Sequence, residues 1–581
     1  MNNDLDMMRH SLSHILASAV SKEYKNIKLG FGPSVDNGFY YDFDLGEESI
    51  SEDDFKVIEK EMRKIIAEKL DFVKEEKSYE DAVKWVKNND QPYKLELIEE
   101  LKDNNEQISF YTCGGFTDLC RGPHVNNTGE VGVFKLLRVA GAYWRGDEKR
   151  EQMQRLYGVA FETEDELKAY LLQLEEAKNR DHRKLGKELD LFTISELVGP
   201  GLPLFSPRGT ILRKELLKLS EELERSIGYE ETWCPHMTRA ELYKVSGHYD
   251  KYPERFDVSS AESDDEFILK PMNCPHHTQI FASKPHSYRD MPVRYMESTT
   301  MYRDEKSGEL HGLSRVRSLT QDDSHAFVRY DQIETEIHNI VSIIKKIYSV
   351  LDMTLSVELS FRDDSDNYYG DPGIWKNAQG ILEKIAKEEE LDYRVELGEA
   401  AFYGPKIDIY ITDAIGRRWQ CATVQLDYVM PERFELEYID ENGKPQRPAM
   451  IHKAILGSIE RFLSVYIEHT AGKFPVWCSP EQLRIIKVKD DPKVDEFCND
   501  VVKTTTENGI RVYFDDSNNS VGKKIRSAEV AKVPYSVVIG EQEVEKNILP
   551  IRVRSDLGED EELSVQALVE KIVNENRERS K

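Results

Sequence analysis

Apolar and polar positions follow three different rhythms along this chain. In SEDDFKVIEKEMRKIIAEKL, residues 51–70, apolar side chains return every three or four positions, which predicts an amphipathic helix. MRHSLSHILASAV, residues 8–20, predicts another, with His10 and His14 one turn apart on one face. Between them LGFGPSVDNGFYYDFDL is punctuated by Gly and Asn and predicts turns. TEDELKAYLLQLEEAKNRDHRKLGKEL, residues 163–189, is charged nearly all round and predicts a solvated connecting helix.

From about residue 186 the rhythm shortens. EFILKPMNC, VRYMESTTMYRDE and AFYGPKIDIYITDAIGRRWQCATVQLDYV predict long strands of a mainly antiparallel sheet, flanked by helices such as QIETEIHNIVSIIKKIYSVL. The last block alternates again. QLRIIKV, IRVYF, YSVVIG and ILPIRVR separate helical stretches, and a closing helix starts near residue 563, the order of a small α/β domain. There are no internal repeats and no low-complexity tracts.

Length and composition then narrow the class. At 581 residues and 67.3 kDa the chain should hold several domains. It has no apolar run that would span a bilayer, and MNNDLDMM lacks the features of a signal peptide, so a soluble, cytoplasmic protein with no membrane partner is expected. Seven cysteines without regular close pairing argue against a disulfide framework and leave reduced thiols or metal ligands. A net charge of −29 excludes a nonspecific coat for nucleic acid, though not a local basic groove.

Candidate chemistry concentrates in MYRDEKSGELHGLSRVRSLTQDDSHAF. Arg303, Glu305, Arg315 and Arg317 fall around one loop there, and arginine suits bidentate, permanently charged contact with phosphate. His10 and His14 alone are compatible with a metal pair or with ordinary boundary residues. The loop string resembles motif 2 of class II aminoacyl-tRNA synthetases. With KPMNCPHHTQIF, AFYGPKIDIY, CATVQLDY and MIHKAILGSIERF in the same order, the chain resembles the threonyl-tRNA synthetases from end to end.

That resemblance implies an α+β multidomain chain. Residues 1–160 would form an α/β editing domain and 161–185 a connecting helix. Residues 186–474 would form a class II antiparallel sheet flanked by helices, and 475–581 an α/β anticodon-binding domain. The implied function is activation of L-threonine by ATP and its transfer to the 3′ end of tRNA(Thr). Arg303 would meet the α-phosphate and Arg461 the γ-phosphate, with Mg2+ accompanying ATP. Glu305, Arg315, Gln420 and Thr423 would complete the ATP site, and Lys406 would lie near the reacting carboxylate. Leu319 replaces an aromatic expected to stack on adenine.

Cys274, His325 and His452 match the family's three zinc ligands, one Zn2+ per chain, an open set that would read threonine's amino and hydroxyl groups. Gln321, Asp323, Tyr403 and Gln425 match the threonine pocket. His276 stands where many relatives have glycine. Serine differs from threonine by one methyl, a discrimination of only about 1–3 kcal/mol, so a second, hydrolytic site is required. His10, His14, Asp118, Cys120 and His124 match the editing site for seryl-tRNA(Thr), working without a metal, and Tyr40 and Tyr41 match its lining.

Asn518, Lys532, Glu543 and Arg552 align with anticodon-reading positions, Lys532 where arginine is common. Residues 472–581 carry 18 basic and 21 acidic side chains, which suits a few placed contacts with tRNA better than a basic sheath. RGTILRKELLKLSEELERSIGYEETWCPHM, a helix expected to end near Pro235, matches the motif 1 dimer element and implies a homodimer. The small domain that commonly precedes the editing domain in this family is not in the sequence. Arg303 and Arg461 speak against a synthetase-like RNA-binding protein that has lost catalysis, and the combined zinc and editing sets against a seryl or prolyl enzyme.

Overall fold

The computed structural model describes residues 3–147, 149–413 and 416–580. It divides into two compact units, Met1–Glu175 and Glu176–Lys581. The boundary falls inside the helix Glu164–Arg180, whose one buried residue is Leu167. The connecting segment does not stay solvated to its end. His182 and Leu185, in the next short helix His182–Glu188, are buried.

In the first unit the helix Asn3–Glu23 lies on a sheet built from Lys28–Leu29, Gly38–Asp44, Gln152–Phe161 and Val133–Tyr143, all antiparallel. Asp36 and Asn37 make the tight turn into Gly38–Asp44, with Asn37 at φ 61°. Strand alternation sends Phe39, Tyr41 and Phe43 to the face covered by Leu12, Ile15 and Leu16 of the helix. The helix Phe55–Ala67 adds Ile58, Met62 and Ile65 to this core. A second, three-stranded sheet, Phe72–Glu76, Ser109–Cys113 and Phe116–Leu119, leads into the segment that carries Cys120 and His124.

The second unit is organised by an eight-stranded sheet. Its order is Glu230–Glu231, Val293–Met296, Ser324–Val328, Ala449–Ala454, Arg418–Asp427, Lys406–Thr412, Thr354–Phe361 and Tyr393–Leu397. The interior pairs are antiparallel and the two outermost pairs parallel. The helix Ile333–Val350 packs Ile337, Ile340, Ile344 and Ile347 into the core beneath this sheet.

Several expected elements change shape. VRYMESTTMYRDE is two strands, with Ser298–Tyr302 leaving the main sheet at Glu297 to form a ribbon with Ser318–Asp322. In EFILKPMNC only Phe267–Leu269 is strand, and Cys274 opens the helix Cys274–Ala282. The long segment from Ala401 forms two strands, and residues 414 and 415 of it lie outside those described. The motif 1 helix runs Pro207–Ser226 and stops well before Pro235, because Gly228 at φ 88° turns the chain into the edge strand Glu230–Glu231.

The C-terminal α/β layer has strand order Val512–Asp515, Leu483–Lys487, Tyr535–Ile539, Leu549–Val553 and Glu561–Leu563, the first three parallel. It does not separate from the eight-stranded sheet by compactness. Arg511 ties it to Glu215 at 3.0 Å, and Arg208 donates to Glu481 at 3.0 Å.

One buried carboxylate joins three parts of the second unit. Asp322, at the end of the ribbon, accepts the backbone N–H groups of Ile455, Leu456 and Gly457 at 3.2, 2.8 and 3.0 Å, and the Ser220 hydroxyl at 2.8 Å. Asp322→Ala would leave these donors buried and unpaired. At about 1–3 kcal/mol for each, the second unit should lose at least about 3 kcal/mol of stability, seen as a lowered calorimetric transition, while Asp322→Asn, which keeps one acceptor oxygen, should lose less.

Candidate active sites

The sheet strands of the second unit bring distant residues together. His325 and His452 lie opposite each other on the adjacent strands Ser324–Val328 and Ala449–Ala454, and Cys274 reaches them from the first turn of its helix. The three donor atoms lie within 4.8 Å of one another, and all three residues are buried. Each imidazole is oriented from behind. His325 Nδ1 contacts His277 Nδ1 at 2.8 Å, and His452 Nε2 contacts the Asp427 carboxylate at 2.9 Å. His325 Nε2 is buried without a hydrogen-bond partner. Burial pushes the Cys274 thiol well above its ordinary range and the His325 imidazole well below.

These residues wall a cavity of about 250 Å³ that is also lined by Gln321, Asp323, Tyr403, Thr423, Gln425 and Arg303. Tyr403 stacks on His452 and donates to Gln425 Oε1 at 2.5 Å. His248 lines the same cavity. Ser246 Oγ donates to the Tyr243 carbonyl at 3.1 Å, so it accepts from His248 Nδ1 at 2.8 Å, which leaves a lone pair on Nε2. Burial lowers this imidazole to about 3. Nothing in the sequence singled out His248, a lone histidine in a short helix.

Lys406 and Gln420 are not among the cavity's lining residues. The Lys406 ammonium sits on Asp408 at 2.6 Å, and Asp408 also accepts from Thr423 at 3.0 Å. His276 falls outside the ligand trio. It is buried with both ring nitrogens unpartnered, and burial, then the Lys270 charge, lowers it to about 4.

The arginines gather at one loop. Arg303 lies over the Tyr252 ring at 5.5 Å and donates to the Pro271 carbonyl at 3.3 Å. Arg315 pairs with Glu305 and Glu309, and Arg317 donates to the Glu305 carbonyl at 3.0 Å. Arg461, in the first turn of the helix Ile459–His469, donates to the Ser314 carbonyl at 3.1 Å. Burial lowers its affinity for the proton, and the nearby Arg303 and Arg315 charges lower it further. Such convergence of guanidinium charge calls for a polyanion. Leu319 is buried against Met301 and Val316.

In the first unit His10, His14, Cys120 and His124 bring their donor atoms within 4.8 Å of one another. The Pro123 carbonyl can only accept, so His10 Nδ1 donates to it at 3.2 Å. Ser11 Oγ donates to the Met7 carbonyl, so it accepts from His124 Nδ1 at 3.1 Å. Both Nε2 atoms then carry lone pairs, and both lie 3.3 Å from Cys120 Sγ, which also accepts the Gly122 N–H. Burial pushes the Cys120 thiol up to about 12. Behind them Asp118 is held by Lys94 at 2.6 Å and by the Tyr41 hydroxyl, with His14 Nδ1 at 3.7 Å. Tyr40 lies on the opposite sheet face from Tyr41, beneath the Arg155 guanidinium at 4.0 Å. Lys94 and Ser11 gave no sequence signal, since each reads as an ordinary helix residue.

Three of the four anticodon candidates have their own local contacts. Asn518 is exposed in a turn, and Arg552 faces Glu529 at 3.6 Å. Glu543 accepts the Gly540 N–H at 2.8 Å and caps its own helix. Lys532 donates to the Ala471 carbonyl, toward the catalytic core.

Residues 243–470 match the tRNA synthetase class II core domain (G, H, P, S and T). Residues 482–575 match the anticodon binding domain, and 108–157 the threonyl and alanyl tRNA synthetase second additional domain. The chain is 46% identical over 574 residues to the threonine–tRNA ligase of Porphyromonas gingivalis, an alignment covering 97% of this chain and 87% of that protein. It is 45% identical over 573 residues to that of Thermotoga maritima, covering 98% and 88%. Among solved structures it resembles the RNA binding domain of threonyl-tRNA synthetase from Cryptosporidium parvum, with TM-score 0.65 and 36% identity, over 68% of this chain and 98% of that one.

The first-unit imidazoles define a pH dependence. Burial is the leading cause that lowers His10, His14 and His124 below the ordinary 6.5. Below pH 6.5 the unfolded chain binds protons that the folded unit refuses, so stability is complete above 6.5 and is lost as pH falls. The slope should approach about 1.4 kcal/mol per imidazole per pH unit. Calorimetry between pH 7 and 5 should show this unit's transition falling, and His14→Gln should remove one imidazole's share of the slope.

Proposed function

The chain belongs to the threonyl-tRNA synthetase family, and from that premise we propose how its residues divide the reaction. The enzyme activates L-threonine with Mg-ATP and transfers it to tRNA(Thr), and its second additional domain edits seryl-tRNA(Thr). We assign editing to residues 1–160, activation to 186–474, and anticodon reading to 475–581, with Asn518, Glu543 and Arg552 as its contacts. Lys532 is the weakest of that set, because its ammonium is engaged by Ala471.

One observation carries the assignment of the synthetic site: a single cavity is walled by Cys274, His325 and His452 and also by Arg303. The threonine carboxylate attacks the α-phosphorus and pyrophosphate leaves. Negative charge then grows on the phosphoryl oxygens, where a fixed guanidinium is most effective. Arg303 would meet that charge. Arg461, with Arg315, would grip the departing phosphates, while Glu305, Gln420 and Thr423 would address the adenosine. Lys406, now on Asp408, would share its charge with the threonine carboxylate. The cysteine and histidine donors and the partnerless His325 Nε2 fit zinc. Zinc held there by Cys274, His325 and His452 would supply a Lewis-acid seat for the amino and hydroxyl groups of threonine. Asp323, Gln321, Tyr403 and Gln425 enclose the side chain. His248, neutral with a lone pair on Nε2, is the proton acceptor nearest in kind to what aminoacyl transfer needs.

In the first unit the His10 and His124 Nε2 lone pairs converge on Cys120 Sγ, whose single hydrogen can serve only one of them. The Nε2 lone pair left open would orient and deprotonate the hydrolytic water, with one zinc per chain in the other unit. A homodimer is supported by Leu197 and Trp233, 99% and 76% exposed on either side of the Pro207–Ser226 helix in sequence. A cytoplasmic setting is supported by seven free cysteines. Among the described residues no helix is long and apolar enough to cross a membrane.

Arg303→Ala should lower threonine-dependent pyrophosphate exchange by at least about 10²-fold. Cys274→Ser and His452→Ala should lose the one zinc found by elemental analysis and lose preference for threonine over valine. Exchange within threefold of wild type, or discrimination without metal, would refute these roles.

His10→Ala and His124→Ala should charge threonine normally yet accumulate seryl-tRNA(Thr), measured by the release of serine from preformed ester. Two zinc ions per chain, one of them lost in Cys120→Ala, would make the editing cluster a metal centre instead.

A further inference from the structure

A buried histidine outside both sites touches the loop that carries the arginines. His182 Nδ1 lies 2.7 Å from Glu468 Oε1, and its own backbone N–H donates to the same oxygen at 3.0 Å. A carboxylate oxygen only accepts, so Nδ1 carries the proton. On the other edge the Leu313 N–H donates to Nε2 at 3.1 Å. An amide only donates, so Nε2 holds the lone pair and the tautomer is set from both sides.

Leu313 is the centre of the tight turn His311–Arg315, closed by His311 N to the Arg315 carbonyl at 3.1 Å and Ser314 N to the His311 carbonyl at 2.9 Å. Gly312 sits at φ 50°, and a Cβ there would stand 2.1 Å from His182 Nε2, so glycine lets the imidazole reach the backbone. The turn ends in Arg315, and its Ser314 carbonyl holds Arg461. Glu468 in turn binds Arg417 and lies on the same helix as Arg461. His182 thus connects the helix of one phosphate arginine to the turn of the other. When Arg461 leaves Ser314 for a phosphate, the Leu313 side chain in the core and its N–H on His182 still hold the turn.

We propose that His182 is a positioning residue for the nucleotide: its imidazole fixes the turn His311–Arg315 so that Arg315 and Arg461 meet the ATP phosphates in register. This rests on the assignment of Arg303, Arg315 and Arg461 to ATP. The two ring nitrogens make the role separable. Gln places a polar atom where Nε2 lies and can accept from Leu313. Asn places one where Nδ1 lies and can serve only Glu468.

The test is steady-state pyrophosphate exchange with His182→Ala, His182→Gln and His182→Asn in the full-length enzyme, each checked for a wild-type thermal transition. The alanine variant is expected to raise the KM for ATP by at least about fivefold with the KM for threonine within twofold. Gln is expected to recover more of that loss than Asn, and hydrolysis of preformed seryl-tRNA(Thr) to be unchanged. A smaller rise in a folded alanine variant, equal effects on both substrates, or better rescue by Asn would overturn the role. Should alanine not fold, the Gln and Asn comparison decides. Arg303→Ala run alongside separates the two levels. Exchange lost there with the KM for ATP unchanged in the His182 variants defeats this inference alone, whereas exchange surviving Arg303→Ala removes the assignment it rests on.

Discussion

The Asp322 carboxylate is the constraint from which the synthetic site hangs. A turn that leads a strand into a helix exposes backbone N–H groups with no partner in regular structure, and when buried they must find one. Here the turn after Ala449–Ala454 finds it in a side chain from a different segment, and Ser220 brings the Pro207–Ser226 helix to the same carboxylate. The helix Ile459–His469 therefore starts at a set distance from the ribbon Ser318–Asp322. Arg461 stands in the first turn of one, and Arg317 and Arg315 precede the other. Burial and the neighbouring Glu224 carboxylate push Asp322 up, and the N–H donors pull it back toward the ionised form. Four donors aimed at its two oxygens favour the charged carboxylate.

The two candidate sites use burial in opposite ways. In the synthetic site cations accumulate, each resting on a local acceptor: Arg461 on Ser314, Arg315 on Glu305 and Glu309, Lys406 on Asp408. The Arg315 pairs are half exposed and weak, whereas the Asp408 carboxylate under Lys406 is buried. In the first unit burial does the reverse and keeps a group of imidazoles uncharged, so that lone pairs rather than charges meet around Cys120.

Positions where this chain departs from the resembling family fall into different physical settings. Leu319 lies inside a small apolar cluster with Met301 and Val316, so an aliphatic side chain fills space there as well as an aromatic edge would. His276 is buried with two unpartnered nitrogens beside the zinc-type trio without joining it. Lys532 is turned to the Ala471 carbonyl, where a lysine's single ammonium suffices.

Local rules determined a good deal of this protein. The 3.6-residue period of 333–350 and the alternation of 483–487 and 535–539 announced their elements, because helix and strand expose a face at a period that residue order alone sets. Motif strings marked Cys274, Arg303, His325, His452 and Arg461 as candidates. Residue order could not say that VRYMESTTMYRDE breaks at Glu297, since that break depends on Cys234 N–H and Asn273 reaching the Glu297 carboxylate from elsewhere. Nor could it show Ser11 and Pro123 setting histidine tautomers, Lys94 holding Asp118, or His182 bridging Glu468 to Leu313. Hydrogen-bond partners far apart in sequence leave no periodic trace. Only packing decides which donor meets which acceptor, and with it which nitrogen of a histidine keeps its lone pair.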